Sequence, residues 1–159
     1  MIVMSGNVLE TPIEIIAHQV NCMGSFGSGL AKQIKEKHPY VYKRYRAVVV
    51  LFRCKGMDRR LLGQGQMVCD EDSGHTFLNI FGQYRWSCST RQTDYDALKA
   101  GFNNAIMKYR LAKNAYDKLQ IAVPYKIGCG CGGGDWNIVS EILEQLESEE
   151  NVEFVAYKL

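Results

Sequence analysis

The amino-acid sequence predicts an α/β protein, a three-layer αβα sandwich with a mixed central sheet. Short runs rich in β-branched and aromatic residues recur along the chain, and helix-like runs fall between most of them. Two glycine-rich stretches each follow a strand-like run and lead into a helix-like one. At 159 residues the chain is of single-domain size, so one domain over residues 1–159 is expected to bury one substantial core.

The strand-like runs are Ile2–Met4, Ile13–Val20, Leu61–Val68, Thr76–Phe81, Leu119–Pro124 and Val152–Tyr157. Between the second and third, "GLAKQIKEKHP" sets Leu30 and Ile34 at helical spacing and stops before Pro39, with a second helix expected over Tyr40–Val50. The strongest helix signal is Tyr95, Leu98, Phe102, Ile106 and Tyr109, which recur every three or four residues on one face. Thr93 and Asp96 are read as its capping box. The last helix turns Val139, Ile142, Leu143 and Leu146 inward and ends in the acidic "ESEEN". The 61–81 strands are expected to be antiparallel, because their connection leaves no room for a crossover helix.

A net charge of +2 is too slight for general attraction to nucleic acid. The densest basic run, "RCKGMDRR" from Arg53 to Arg60, contains an acid and a glycine and reads as a solvated loop. "MIVMSGNVLE" shows neither a signal peptide nor a membrane span, so a cytoplasmic protein without a membrane partner is expected. The cysteines Cys22, Cys54, Cys69, Cys88, Cys129 and Cys131 include no CxxC. They are expected to be free thiols holding no metal.

In an open α/β sheet, ligands sit beyond the carboxyl ends of strands, where loop amides and helix N-termini suit phosphate. "NCMGSFGSG" and "PYKIGCGCGGGDW" both occupy such a place, so together they could hold a diphosphate from two sides. No GxxxxGK[ST] exists, which argues against a P-loop triphosphatase. Gly128, Gly130 and Gly133 satisfy GxGxxG, but too little chain follows for the βαβ units of a dinucleotide-binding domain.

Taken together, "SGNVLE", "AHQVNCMGSFGSGLAKQI" and "VPYKIGCGCGGGDW" resemble the macro domain, an ADP-ribose-binding module. The continuation "NIFGQ…TDYDAL" looks closest to the small stand-alone members that act as ADP-ribose-1″-phosphate phosphatases. The resemblance implies that Asn7, with Val8 beside it, stands where the family usually has an aspartate on the adenine amino group. It implies that Asn21 contacts the distal ribose, and that Gly24, Gly27, Ser28 and Gly29 line the loop beside that ribose and the diphosphate, where Phe26 either shields the ribose or packs its own loop. Gly128, Cys129, Gly130, Cys131 and Gly132 would form the loop over the phosphates. Gln83 and Gly132 depart from the lysine and aspartate expected in the branch that removes ADP-ribose from glutamate.

His18 and Asp135 remain as candidate catalytic residues, an imidazole to exchange a proton and a carboxylate to orient it or act on water. Each also has a structural reading: His18 as a hydrogen-bonded core histidine, Asp135 as a helix cap. Trp136 reads as core packing, and Cys129 and Cys131 as small loop residues without an activating base. The expected function is binding of ADP-ribose with no cofactor, with hydrolysis of ADP-ribose 1″-phosphate as the leading activity. The alternatives are removal of ADP-ribose from protein or nucleic acid, and a reader without turnover.

Overall fold

In the computed structural model, which describes residues 1–159, six strands form one mixed sheet in the order β1-β6-β5-β2-β4-β3. The strands are β1 (Ile2–Ser5), β2 (Ile15–Asn21), β3 (Gly65–Cys69), β4 (Thr76–Gln83), β5 (Leu119–Pro124) and β6 (Val152–Lys158). The helices are α1 (Gly29–Lys37), α2 (Pro39–Cys54), α3 (Tyr95–Lys113) and α4 (Trp136–Glu150). All neighbouring strands run parallel except β3, which pairs antiparallel with β4. The carboxyl ends of β2, β4 and β5 therefore lie along one edge.

Alternation along β2 divides the core. Ile15 and Ala17 face α3 and α4, where they meet Leu98, Phe102, Leu143 and Leu146. Ile16 and Val20 face α1 and α2, where they meet Ile34, Val41, Tyr45 and Val49. Both faces of the sheet are thus covered, which is the predicted three-layer arrangement. No helix is long and apolar enough to cross a membrane.

Three local expectations change. The third strand begins at Gly65 rather than Leu61, because Asp58–Leu61 form a 3-10 turn and Gly63 takes a positive φ of 88°. The cap of α3 is Asp94, whose carboxylate accepts from the Ala97 amide, while the Thr93 hydroxyl donates instead to the Gly128 carbonyl at 2.6 Å. Cys88 and Cys131 form a disulfide, with Cα atoms 4.5 Å apart, so the expectation of six free thiols fails for this pair. The fold brings the loops after β4 and β5 together, a proximity that local spacing does not reveal.

Candidate functional site

A cavity of about 600 Å³ opens at the carboxyl ends of β2, β4 and β5, a size ordinary for a small-molecule site. Lys126 is the one charged residue in its lining, which contains no carboxylate. Loop amides and a lysine without a competing acid suit an anion.

The first wall is the loop 22–29 after β2, and Asn21 shapes it. Its Oδ1 accepts from the amides of Met23 and Ser25 at 3.0 and 3.3 Å, and its Nδ2 donates to the Ser25 carbonyl at 2.8 Å. The buried Tyr45 hydroxyl lies 2.7 Å from the Asn21 carbonyl and 2.9 Å from Oδ1, and it accepts from the Gly24 amide. One Nδ2 hydrogen of Asn21 is left over for a ligand. Ser28 stands at the N-cap of α1 without a side-chain cap bond, so the first-turn amides of that helix have no competing side chain. Phe26 is buried, stacked on Tyr45 with ring centroids 4.2 Å apart and edge-on to His18 at 5.3 Å, so it both packs its loop and lines the cleft.

The second wall is the turn after β5. Its glycines do different jobs. A Cβ on Gly132 would lie 2.5 Å from Thr93 Oγ1 and 2.7 Å from the Gly128 carbonyl, so packing inside the protein excludes a side chain there. A Cβ on Gly130 would meet nothing within 4 Å, and its φ is not in the left-handed region. Only something outside the chain could demand a glycine at 130.

The third wall went unread in the sequence. Trp86, Ser87 and Cys88, in the loop between β4 and α3, line the cleft, and Gln19 and Gln83 line its floor. Gln19 Nε2 donates to Gln83 Oε1 at 2.7 Å and to Thr93 Oγ1 at 2.9 Å, joining the strand ends to both loops. Lys126 was also missed.

His18 lines the cleft but is almost fully buried, and burial lowers its pKa to about 4, so the imidazole is neutral near pH 7. Its tautomer follows from a chain of bonds. The Arg44 carbonyl can only accept, and it takes Gln66 Nε2 at 3.0 Å; Gln66 Oε1 takes Asn79 Nδ2 at 2.9 Å; Asn79 Oδ1 faces His18 Nε2 at 2.7 Å. That polarity assigns the ring proton to Nε2 and leaves Nδ1 an acceptor without a partner in the chain.

Asn21, Phe26, Gly27, Ser28, Gly29, Gly128, Gly130, Cys131 and Gly132 line the same cleft as His18, whereas Asn7, Val8, Gly24, Cys129 and Asp135 do not. Asn7 caps the 3-10 turn Val8–Glu10 by accepting from the Leu9 amide at 3.0 Å. Gly24 has a φ of 83° and packs beneath Arg46. Burial raises the Cys129 thiol to about 11, and the thiol faces the Ile127 carbonyl. Asp135 is exposed and caps α4, its Oδ1 accepting from the Asn137 amide at 2.8 Å. Trp136 packs against the core with Tyr125 beside it at 5.1 Å.

No protein-family model matches the chain. Among curated proteins it is similar to the DNA ADP-ribosyl glycohydrolase of Thermus aquaticus, 28% identical over 96% of this chain and 39% of that protein. It is also similar to the ADP-ribose 1″-phosphate phosphatase of Candida glabrata, 26% identical over 98% of this chain and 97% of that protein. The chain thus spans about two fifths of the length of the DNA ADP-ribosyl glycohydrolases it matches. Among solved structures, the macrodomain of Mycobacterium tuberculosis DarG superposes with a TM-score of 0.74 at 22% identity, over 99% of this chain and 97% of that one. Thermosipho africanus DarTG in complex with ADP-ribose gives a TM-score of 0.76 at 20% identity, over 98% of this chain and 40% of that one.

Proposed function

We propose that this chain, a macro domain, binds ADP-ribose in the glycine-walled cleft and hydrolyses the bond that joins a substituent to C1″ of the distal ribose. The observation that carries the reading is the lining itself: two glycine loops, an uncapped helix start and Lys126, with no carboxylate to repel a diphosphate. The relatives named for hydrolysis at ADP-ribose support the reaction class.

In this reading the diphosphate lies between the amides of 27–29 and 128–132, and the free Nδ2 hydrogen of Asn21 donates to a distal ribose hydroxyl. His18 Nδ1 serves as a neutral acceptor that orients a water or ribose hydroxyl at the reacting carbon. A group held at a pKa of about 4 aligns a proton donor rather than storing a proton near neutrality. Asp135 has a structural duty in this account, since its carboxylate caps α4.

The leading substrate is ADP-ribose 1″-phosphate, which water converts to ADP-ribose and inorganic phosphate. A second reading, release of ADP-ribose from a macromolecule, is favoured by one observation: Trp86 lines the cleft yet is largely exposed, leaving an apolar surface that a larger substituent could cover. Incubating the protein with ADP-ribose 1″-phosphate, ADP-ribosylated peptide and ADP-ribosylated oligonucleotide tests the proposal. Turnover of at least one is expected, falling about 10²-fold in His18→Ala, the scale for losing a positioned acid–base group. ADP-ribose binding without turnover of any would make the protein a reader.

A further inference from the structure

We propose, resting on the ADP-ribose reading above, that Cys88 and Cys131 form a reversible redox-modification site, closed by a low-molecular-weight disulfide and opened by a low-molecular-weight thiol, and that its state sets how tightly the cleft holds ADP-ribose. Both cysteines line the cleft and both are exposed, so a small thiol reaches the bond between them. Exposed disulfides are the ones that exchange readily.

The other cysteines indicate that the bond is conditional. Cys54 and Cys69 are exposed and unpaired, and Cys22 and Cys129 are free as well. A permanently oxidising setting would leave such exposed thiols open to mispairing, whereas a disulfide in a chain whose other thiols stay reduced is of the kind that forms and breaks. Cys129, two residues from Cys131, does not compete for the pairing. Its thiol faces the Ile127 carbonyl at 3.4 Å, and burial pushes its pKa up to about 11, so it supplies little thiolate.

The hydrogen bonds show what the bond controls. Gln83 Nε2 donates to the Arg85 carbonyl at 2.7 Å, and the amides of Gln92 and Thr93 donate to the Gly132 carbonyl at 2.8 and 3.0 Å, which anchors the loop at its two ends. Between these anchors, the hydrogen bonds of residues 86–91 stay within the loop, joining Ser87 to Ser89 and Thr90 to Gln92. The disulfide is therefore the one bond that ties residues 86–91 to the body of the protein. Cutting it releases Trp86, Ser87 and Cys88 from the cleft, while the glycine wall keeps its bonds to Gln92 and Thr93.

The chemistry balances as thiol–disulfide exchange. One cysteine thiolate attacks a sulfur of the small disulfide, forming a mixed disulfide and expelling one small thiolate. The second cysteine thiolate then attacks the protein sulfur of that mixed disulfide and expels the other. Two cysteine thiols are oxidised to one protein disulfide, one small disulfide is reduced to two thiols, and the two cysteine protons end on those thiols.

The test equilibrates the parent in glutathione buffers of increasing reduced fraction. At each step, alkylation after a denaturing quench counts free thiols by mass spectrometry, and calorimetry measures ADP-ribose affinity. The count is expected to rise from the four free cysteines of the oxidised protein to all six, with Cys88 and Cys131 as the pair that appears. Over the same interval the affinity is expected to fall on the order of fivefold, because a freed loop must be ordered again on binding. Cys88→Ser and Cys131→Ser are expected to hold the weaker affinity in every buffer, and Cys54→Ser to switch like the parent. A thiol count fixed at either value, an affinity that stays constant while the count changes, or a Cys88→Ser variant that still switches would overturn the proposal. Failure of the parent to bind ADP-ribose in every buffer would instead overturn the reading on which it rests.

Discussion

The wall of the cleft at residues 22–29 is held from within, by Asn21 of its own strand and by the hydroxyl of Tyr45 beneath it, whereas the wall at 125–134 is held from outside. The second wall leans on Thr93 and Gln19 through glycines too tightly packed to change, and on Cys88 through a covalent bond. The walls therefore have different weaknesses. A proton attacks the first, because the neutral His18 packs against Phe26 at its base. A reductant attacks the second.

The largest stability effect expected is that of the reductant. The disulfide closes a loop of sequence separation 43, for which chain entropy predicts a contribution of about 3–4 kcal/mol. Cys131→Ser, or dithiothreitol on the parent, is expected to lower the midpoint of thermal unfolding and to weaken ADP-ribose binding several-fold. An unchanged midpoint with and without reductant would show that the second wall is held by its glycines and hydrogen bonds alone.

Acid comes next. Burial lowers His18 from 6.5 to about 4, so the unfolded chain binds its proton first. The stability this group contributes is fully present above pH 6.5, declines as pH falls toward 4, and amounts to about 3 kcal/mol. Urea unfolding of the parent and of His18→Gln at pH 7.5 and pH 4.5 isolates it. The parent is expected to lose more between the two pH values than the variant, and equal losses would contradict the burial argument.

A smaller effect separates the two kinds of glycine. Gly132→Ala drives a methyl into Thr93 and a backbone carbonyl and is expected to cost about 1–3 kcal/mol, as overpacking does. Gly130→Ala meets open space and is expected to leave stability within about 0.5 kcal/mol, as for an ordinary surface change. Its effect should appear in ADP-ribose affinity, as a loss of about tenfold. A Gly130→Ala variant that binds like the parent would place the ligand away from that turn.

These residues also show what was legible in the sequence. β5 is observed at Leu119–Pro124, as its apolar run Ile121–Val123 indicates, because a parallel strand covered on both faces is apolar at successive residues where it is buried. The glycine loops were visible for a similar reason, since each sits between a strand and a helix that are themselves legible. Asp94 was passed over as the cap because Thr93 and Asp94 are both good N-caps, and the choice depends on Gly128, a distant partner that captures the Thr93 hydroxyl. Cys88 with Cys131, Gln19 with Gln83 and Thr93, and the lining roles of Trp86 and Lys126 are likewise products of topology. For His18, the residue type signalled a group that titrates near neutrality, but only its position under Phe26 and beside Asn79 reveals a neutral acceptor.

The central claim, that the two glycine walls together hold a sugar diphosphate, is tested most directly by titrating ADP-ribose into the parent and into Gly27→Glu by calorimetry, with circular dichroism to verify the fold. Gly27 lines the cleft, and a carboxylate there brings bulk and negative charge to the place proposed for phosphate. The account predicts one-to-one binding by the parent, much weaker binding of AMP, and no detectable heat of ADP-ribose binding from a folded Gly27→Glu. A folded Gly27→Glu that binds ADP-ribose with the parental affinity would contradict it.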